Sequence, residues 1–255
     1  MDVPATHTET IEDIISQLDR VIEHCSHEHS KLGYFAVLYR DTTDQVRQAI
    51  AAGRFEDGGR MERFDVIFAR RYLEAIERYW RGEKPTKSWH TAFQAARTYS
   101  PTILQHLLLG MSAHINFDLA IAAVQTAPGE ELPRLKRDFM EITVVLDEMI
   151  DSIQERIEKV SPWFRIIDRV GGRTDEWICA FAIEAARDLA WKTAEKLAEL
   201  NPEEFDREVA RHDQIVATLG NRIRSPGGPL LSTGLRLIRL RERHHVHTVI
   251  EALKM

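Results

Sequence analysis

The sequence predicts an all-α fold, a single irregular multi-helix bundle around a buried central helix at about residues 101–125. Two observations lead to this prediction. Apolar residues recur at spacings of three and four along nearly the whole chain, whereas no strand-like alternation extends beyond a few residues. Turn-forming residues are also scarce, with 13 Gly and 9 Pro among 255 residues. An all-β protein needs such residues roughly every 8–12 positions.

The first third of the chain predicts four helices. The first follows Thr10, which forms a capping box with Asp13 and precedes an apolar face of 3–4 spacing. We expect the second at about 34–52 and the third at about 60–80, because glycines interrupt the chain between them. A short helix should contain Trp89.

The central helix is predicted to begin at Ser100-Pro101, since proline is favoured at the first helical position, and to end near Gln125. It is apolar on nearly all sides, which indicates a buried helix.

The remaining chain predicts a long helix, two further helices, a loop and a last helical segment. Their expected bounds are 131–160, 174–199, 202–221, 224–229 and 230–253.

The composition limits the setting and the partners. The net charge of −6, from 34 basic and 40 acidic side chains, provides no global field that would attract nucleic acid. Cys25 and Cys179 are too few for a disulfide scaffold. No linker divides the chain, so we expect one domain over 1–255, with a flexible N-terminus at 1–9 and a loop at 224–229. The sequence leaves the oligomeric state open, a homo-oligomer included.

The sequence also predicts a cytoplasmic protein without a transmembrane segment. The N-terminus lacks the charged and apolar regions of a secretory signal. The longest apolar stretch, 103–124, is interrupted by His106, His114 and Asp118, which a membrane span rarely tolerates.

These polar residues make the central helix the most informative stretch for function. His114 and Asp118 are four positions apart, so they project from one face, about 6 Å apart along the axis. This spacing is typical of a metal-binding pair, and the alternative is a buried His–Asp hydrogen bond. His106 lies about 12 Å from His114 along the axis, so it could hold a second ion or a substrate instead. Gly110 would open space for a ligand or for close helix packing.

Asp65 is the second candidate, because it interrupts an apolar stripe at 64–69. An inward Asp65 would complete a site with His114 and Asp118, a nitrogen and oxygen set that zinc, iron or manganese accepts. The alternative is a salt bridge to Arg71 or to another helix.

Other clusters have weaker patterns. Two carboxylate pairs could support metal ligands or line a solvated helix face: Asp147 with Asp151, and Glu184 with Asp188. Two histidine clusters could bind metal or lie at helix ends: His24, His27 and His29, and His244, His245 and His247 beside Glu242. Four arginines could face an anionic partner or solvent: Arg236, Arg239, Arg241 and Arg243.

The central stretch 107–118, LLLGMSAHINFD, resembles an uncharacterised bacterial all-helical family, a domain of unknown function. Further stretches resemble the same family and extend the match over most of the chain: Arg63-Phe-Asp65, Arg71-Tyr72, 161–176 and Arg187-Asp-Leu-Ala-Trp191. The resemblance implies a helical fold and marks four positions, without implying an activity: Asp65, His106, His114 and Asp118.

The spacing of Gly110, His114 and Asp118 is also similar to a helix of zinc-dependent phospholipase C and the S1/P1-type nucleases. In those all-helical enzymes, such a His and Asp bind zinc. This resemblance implies zinc ligation by His114 and Asp118, with Asp65 as a looser candidate for an upstream ligand. Those families place another histidine soon after the aspartate, whereas this chain continues with apolar residues at 119–124.

From these patterns we expect a metal-dependent enzyme, a hydrolase that acts on an apolar or amphipathic molecule through a metal-activated water. His114, Asp118 and Asp65 would hold the divalent metal, and Asp65 and His106 are the candidate catalytic residues. One alternative is an iron-dependent oxygenase or oxidase on the same scaffold. Another is a non-catalytic binding protein for an apolar small molecule, oriented by His106 and His114. Motifs for nucleotide phosphates, dinucleotides and serine hydrolysis do not occur.

Overall fold

The chain is helical throughout the parts that the computed structural model describes, which are residues 9–161, 183–242 and 245–254. No strand occurs in these ranges. The first six α-helices are α1 Ile11–His27, α2 Gly33–Ala51, α3 Gly58–Trp80, α4 Lys87–Ala96, α5 Ile103–Met111 and α6 Leu119–Thr126. A π-helix, Ser112–Asp118, lies between α5 and α6. After a 3₁₀ turn Gly129–Glu131 follow α7 Leu132–Asp147, α8 Ile150–Val160, α9 Ile183–Ala198, α10 Pro202–Arg224, α11 Pro229–Arg241 and α12 Val246–Leu253.

Local signals place the first helices where they were predicted. Thr10 and Asp13 form the expected capping box of α1, because each satisfies a backbone N–H of the other residue. Asp57 caps α3 by accepting a hydrogen bond from the backbone N–H of Arg60. Helix α4 contains Trp89, as expected.

The central helix is a continuous rod formed by α5, the π-helix and α6, and it packs against α2, α3, α4, α9 and α10. It begins at Ile103, two residues later than predicted. Thr102 is the N-cap, and it forms a capping box with Gln105 that satisfies free backbone N–H groups of the first turn. By length and composition alone, 103–126 could cross a membrane, but 78% of its most apolar window is buried inside the protein. A buried core helix meets the same criterion.

Two segments predicted as single helices are divided. The predicted helix 131–160 breaks at Glu148 and Met149, where a backbone bond from Met149 to Leu146 tightens the last turn of α7. Neither glycine nor proline marks this break. The predicted segment 230–253 ends as α11 at Arg241 and resumes as α12.

Several expectations lie outside the described residues: those for residues 1–8, Cys179, the start of the predicted helix 174–199, His244 and Arg243. Cys25 is free and buried, and it packs as a small hydrophobic residue.

Buried apolar side chains form two clusters. The first joins α1, α2, α4, α5 and α12 around residues such as Leu18 and Trp89. The second joins α6, α7 and α9 around Phe139 and Trp191, and α3 contributes to both. The candidate site is a cavity that residues of both clusters line.

Candidate functional site

A cavity of about 390 Å³ lies between the helices. It is lined by side chains from α2, α3, α5, α6, α7, α8, α9 and the π-helix, and most of them are apolar. Examples are Phe35, Leu107, Met111, Ile142 and Ile157. The exposed Gln154 is also a lining residue, so the cavity reaches the surface beside α8. A cavity of this size and character is large enough for a small organic molecule.

Among the polar residues that line this largely apolar cavity are Tyr39, Asp65 and His114. Each has a buried polar atom without a hydrogen-bond partner in the described part of the chain, namely Tyr39 Oη, Asp65 Oδ2 and His114 Nε2. An unsatisfied buried polar atom costs about 1–3 kcal/mol, so these three are the atoms of the cavity wall that a ligand or water could satisfy. The sequence singled out Asp65 and His114, and the structure adds Tyr39 to the residues at the cavity.

Aromatic rings hold His114 in place. Phe68 stacks on the imidazole with centroids 3.6 Å apart and planes inclined by only 6°. Tyr39 meets the same imidazole edge-on at 4.4 Å. Such packing restricts the ring, so the direction of its free nitrogen is determined before any ligand arrives.

The protonation of His114 follows from its surroundings. Burial lowers the pKa of His114, although the hydrogen bond to Asp118 and the charge of that residue act in the opposite direction. The imidazole is therefore neutral at physiological pH. Nδ1 lies 3.2 Å from Asp118 Oδ2, which assigns the proton to Nδ1 and leaves Nε2 as a hydrogen-bond acceptor.

Asp65 has the opposite tendency. Its side chain is 5% exposed, and burial raises its pKa to about 7, with a smaller contribution from the charge of Glu62. At neutral pH the carboxyl group is thus present in both protonation states and can donate or accept a proton. The salt bridge that the sequence allowed between Asp65 and Arg71 is not formed, because Arg71 pairs with Asp118.

Asp118 is a structural junction. Arg71 Nε donates to Oδ1 at 2.8 Å, and the Trp89 indole donates to Oδ2 at 2.7 Å. With His114, these partners connect α3, α4 and the π-helix at a residue that is 1% exposed. The hydrogen-bonded alternative for His114 and Asp118 is therefore the one observed. Asp118 does not line the cavity.

The contacts of Asp118 bear on the predicted divalent metal centre. No group of three or more His, Cys, Asp or Glu side chains in this part of the chain could hold an ion. A metal at Asp118 would have to displace the cationic Arg71 or the indole of Trp89. The zinc, iron or manganese site of His114, Asp118 and Asp65 remains a prediction from sequence.

His106 lies apart from this cavity. It lines a pocket of only about 20 Å³ together with Lys31 and Tyr72, large enough for about one water molecule. Burial lowers the pKa of His106 to about 3, so the ring is neutral, and its Nε2 has no partner among the described residues. Gly110 serves close helix packing, because a Cβ there would lie 2.4 Å from Cγ of Phe35 on α2.

Arg187 is a lining residue whose role the sequence analysis missed. Its Nε donates to Thr143 Oγ1 at 2.9 Å, Nη2 donates to the carbonyl of Phe139, and Cζ lies 4.5 Å from the centre of the Phe139 ring. The residue is 3% exposed, and burial lowers its pKa to about 9, so it stays cationic at neutral pH. A signal was present, since Arg187 occupies the apolar stripe that continues with Ala190 and Trp191.

The weaker clusters lie mainly at the surface. Four carboxylates predicted as metal support or solvated face are exposed: Asp147, Asp151, Glu184 and Asp188. His24 packs on Trp80 with ring centroids 4.6 Å apart, and His247 contacts Ser26. Glu242 is buried and accepts hydrogen bonds from the first backbone N–H of α5 and from the Ser161 hydroxyl. Its role is thus to anchor the start of the central helix.

Comparison with known proteins gives a family and no activity. Neither the curated proteins nor the solved structures include a match to this chain. The resemblance to the phospholipase C and nuclease metal helix therefore has no support from these comparisons. The model of a family of unknown function, DUF5995, matches residues 11–226, which include the central helix, Asp65 and Arg187. Because this match covers most of the sequence, the chain belongs to the DUF5995 family.

Proposed function

We propose that the protein binds a small apolar or amphipathic molecule in the 390 Å³ cavity and performs no reaction on it. The observation that supports this proposal is an apolar cavity around three buried polar atoms that lack partners in the described residues. Apolar walls favour the ligand through the hydrophobic effect, and a few polar groups determine its orientation.

The polar atoms define what the ligand should offer near the π-helix. His114 Nε2 is an acceptor, so a ligand hydroxyl or N–H group would satisfy it. Nδ1 of His114 is engaged with Asp118, so Nε2 is the ring nitrogen that remains for a ligand. Asp65, with a pKa of about 7, can complement either a donor or an acceptor.

The two enzymatic hypotheses and the binding hypothesis make different demands on the same residues. A hydrolase or oxygenase would need His114, Asp118 and Asp65 around one ion, whereas Asp118 directs both oxygens at Arg71, Trp89 and His114. The binding hypothesis needs only the cavity and the groups that line it. The contacts of Asp118 therefore favour binding over metal-dependent catalysis.

Native mass spectrometry of protein purified without chelator distinguishes these hypotheses in one measurement. We expect a co-purified organic molecule that organic extraction removes, without stoichiometric metal. A stoichiometric divalent ion that His114→Ala abolishes, with no organic ligand, would contradict the binding proposal and favour the metal enzyme.

A substitution that fills the cavity gives a second test. Leu108 is half-buried and lines the cavity, so Leu108→Trp should block it and weaken binding of the neutral fluorescent probe N-phenyl-naphthylamine at least about tenfold. The matched control is Leu237→Trp on α11, where the leucine is 54% exposed and does not line the cavity. Fluorescence titration measures both affinities. Equal binding by the two variants would place the probe elsewhere.

A further inference from the structure

We propose that the ligand is an amphipathic carboxylate, such as a long-chain fatty acid, and that Arg187 holds its head group. This inference rests on the proposed function and names the chemical class of its ligand. The tail would lie along the half-buried apolar residues of the cavity wall, among them Leu104, Met111 and Leu146.

Arg187 is incompletely paired in the described part of the chain. Thr143 and the carbonyl of Phe139 accept hydrogen bonds from Nε and Nη2, whereas Nη1 donates to no residue in the described part of the chain. Neither acceptor carries a charge. Within the same residues, Arg187 forms no ion pair. The charge of the exposed Asp188, the next residue in the chain, also acts on Arg187. A buried cation without an ion-pair partner is costly, and an anion in the cavity would offset that cost.

The cavity wall carries few charged side chains. Arg187 is the one Lys or Arg among its described lining residues, and Asp65 is the one carboxylate. Asp65 does not neutralise this cation, since its pKa is raised by burial and by Glu62, whereas a nearby cation would lower it. The cavity wall at Arg187 therefore attracts an anion, and Asp65 disfavours a second negative charge.

The group that would hold the ligand is a single guanidinium, that of Arg187. Phosphate groups usually draw several basic side chains, whereas a single guanidinium with one nitrogen available suits a carboxylate. The guanidinium also packs on the ring of Phe139, which restricts its movement and keeps it beside the apolar wall. A small head group next to an apolar surface is the arrangement that a fatty acid requires.

The wild-type protein can test this inference at neutral pH. Palmitate, hexadecanol and hexadecyl phosphate share one chain length and differ in their head groups, and each would compete with N-phenyl-naphthylamine. We expect palmitate to bind at least about tenfold more tightly than the other two, equivalent to about 1.4 kcal/mol. Equal binding of palmitate and hexadecanol would overturn the carboxylate anchor and leave the proposed function intact, and tighter binding of the phosphate would overturn the choice of carboxylate. Failure of all three to compete would overturn both proposals.

Variants assign the anchor to Arg187. Arg187→Met should weaken palmitate binding at least about tenfold and leave hexadecanol binding within about twofold. Lys192→Met removes the same charge from an exposed position of α9 and should change neither affinity. An unchanged preference for palmitate in folded Arg187→Met would overturn the assignment. Arg187→Lys retains the charge and should retain part of the preference, and the wild-type comparison decides the question if Arg187→Met does not fold.

Discussion

Asp65 and Asp118 show how neighbours determine the role of one residue type. Both are almost fully buried, at 5% and 1% exposure. Asp118 accepts from a guanidinium and an indole and contacts His114, so its charge stabilises the junction of three helices. Asp65 has an oxygen without a partner in the described residues, and its pKa is raised to about 7. Asp118 is therefore a structural residue, whereas Asp65 keeps an oxygen that a ligand could satisfy.

The raised pKa of Asp65 predicts how stability depends on pH. The unfolded chain releases this proton near the ordinary aspartate pKa of 3.8 and the folded protein near 7, so Asp65 lowers the free energy of unfolding as pH rises through this window. Replacing Asp65 with Asn removes this loss. The free energy of unfolding of the variant relative to wild type should therefore rise by on the order of 4 kcal/mol between about pH 4 and pH 8.

Urea denaturation at several pH values measures this difference, and comparison with wild type removes the contributions of the histidines. Asp147→Asn, at an exposed position on α7, is the control and should show little change across the same range. If the difference in free energy of unfolding between Asp65→Asn and wild type did not change with pH, the carboxyl group would have the same pKa in the folded and unfolded protein.

At the scale of elements, the central helix combines close packing with a local change of winding. Gly110 lets α5 lie directly against Phe35 of α2. Immediately afterwards the helix becomes π-helical at Ser112–Asp118, and the N–H of Leu119 bonds to the carbonyl of His114. Such π segments often occur at functional sites. This one holds His114 at the cavity and directs Asp118 towards Arg71 and Trp89.

The packing of Gly110 predicts a large effect of one methyl group. Gly110→Ala would place Cβ 2.4 Å from Cγ of Phe35, so we expect a loss of roughly 1–3 kcal/mol in the free energy of unfolding. Gly234→Ala is the control, since nothing lies within 4 Å of the added Cβ in α11. It should stabilise the protein by about 0.5–1 kcal/mol through helix propensity. Chemical denaturation measures both, and a shared sign would contradict the steric explanation.

At the scale of the whole molecule, the cavity lies where the two apolar clusters meet. Leu107 belongs to the first cluster, Phe64 and Ile142 belong to the second, and all three line the cavity. A ligand in this position would therefore contact both parts of the core. Its binding should stabilise the fold as a unit.

This position predicts that ligand removal lowers thermal stability. For a ligand at a hundred times its Kd, linkage adds about 2.7 kcal/mol, which corresponds to roughly 5–11 °C in Tm for a chain of this size. Calorimetry of extracted protein, before and after addition of palmitate, measures the shift. The Leu108→Trp variant should show a much smaller one. A Tm that is independent of palmitate concentration in the wild type would contradict a ligand inside the core.

The amino-acid sequence by itself determined the helical class, most helix positions and the polar residues of the central helix. These features depend on spacing within a few residues, as in the capping box of Thr10 and Asp13. It also marked Asp65 and His114, because a polar residue in an apolar stripe is visible locally.

Only the tertiary structure decided what those residues do. Asp118 meets Arg71 and Trp89 at sequence separations of 47 and 29, so no local pattern could reveal that its oxygens are occupied. The division of the segment 131–160 left no glycine or proline signal at its break. The cavity and the availability of Arg187 arise from space between helices that are distant in the chain. Such space depends on how those helices pack, and periodicity along one helix carries no record of it.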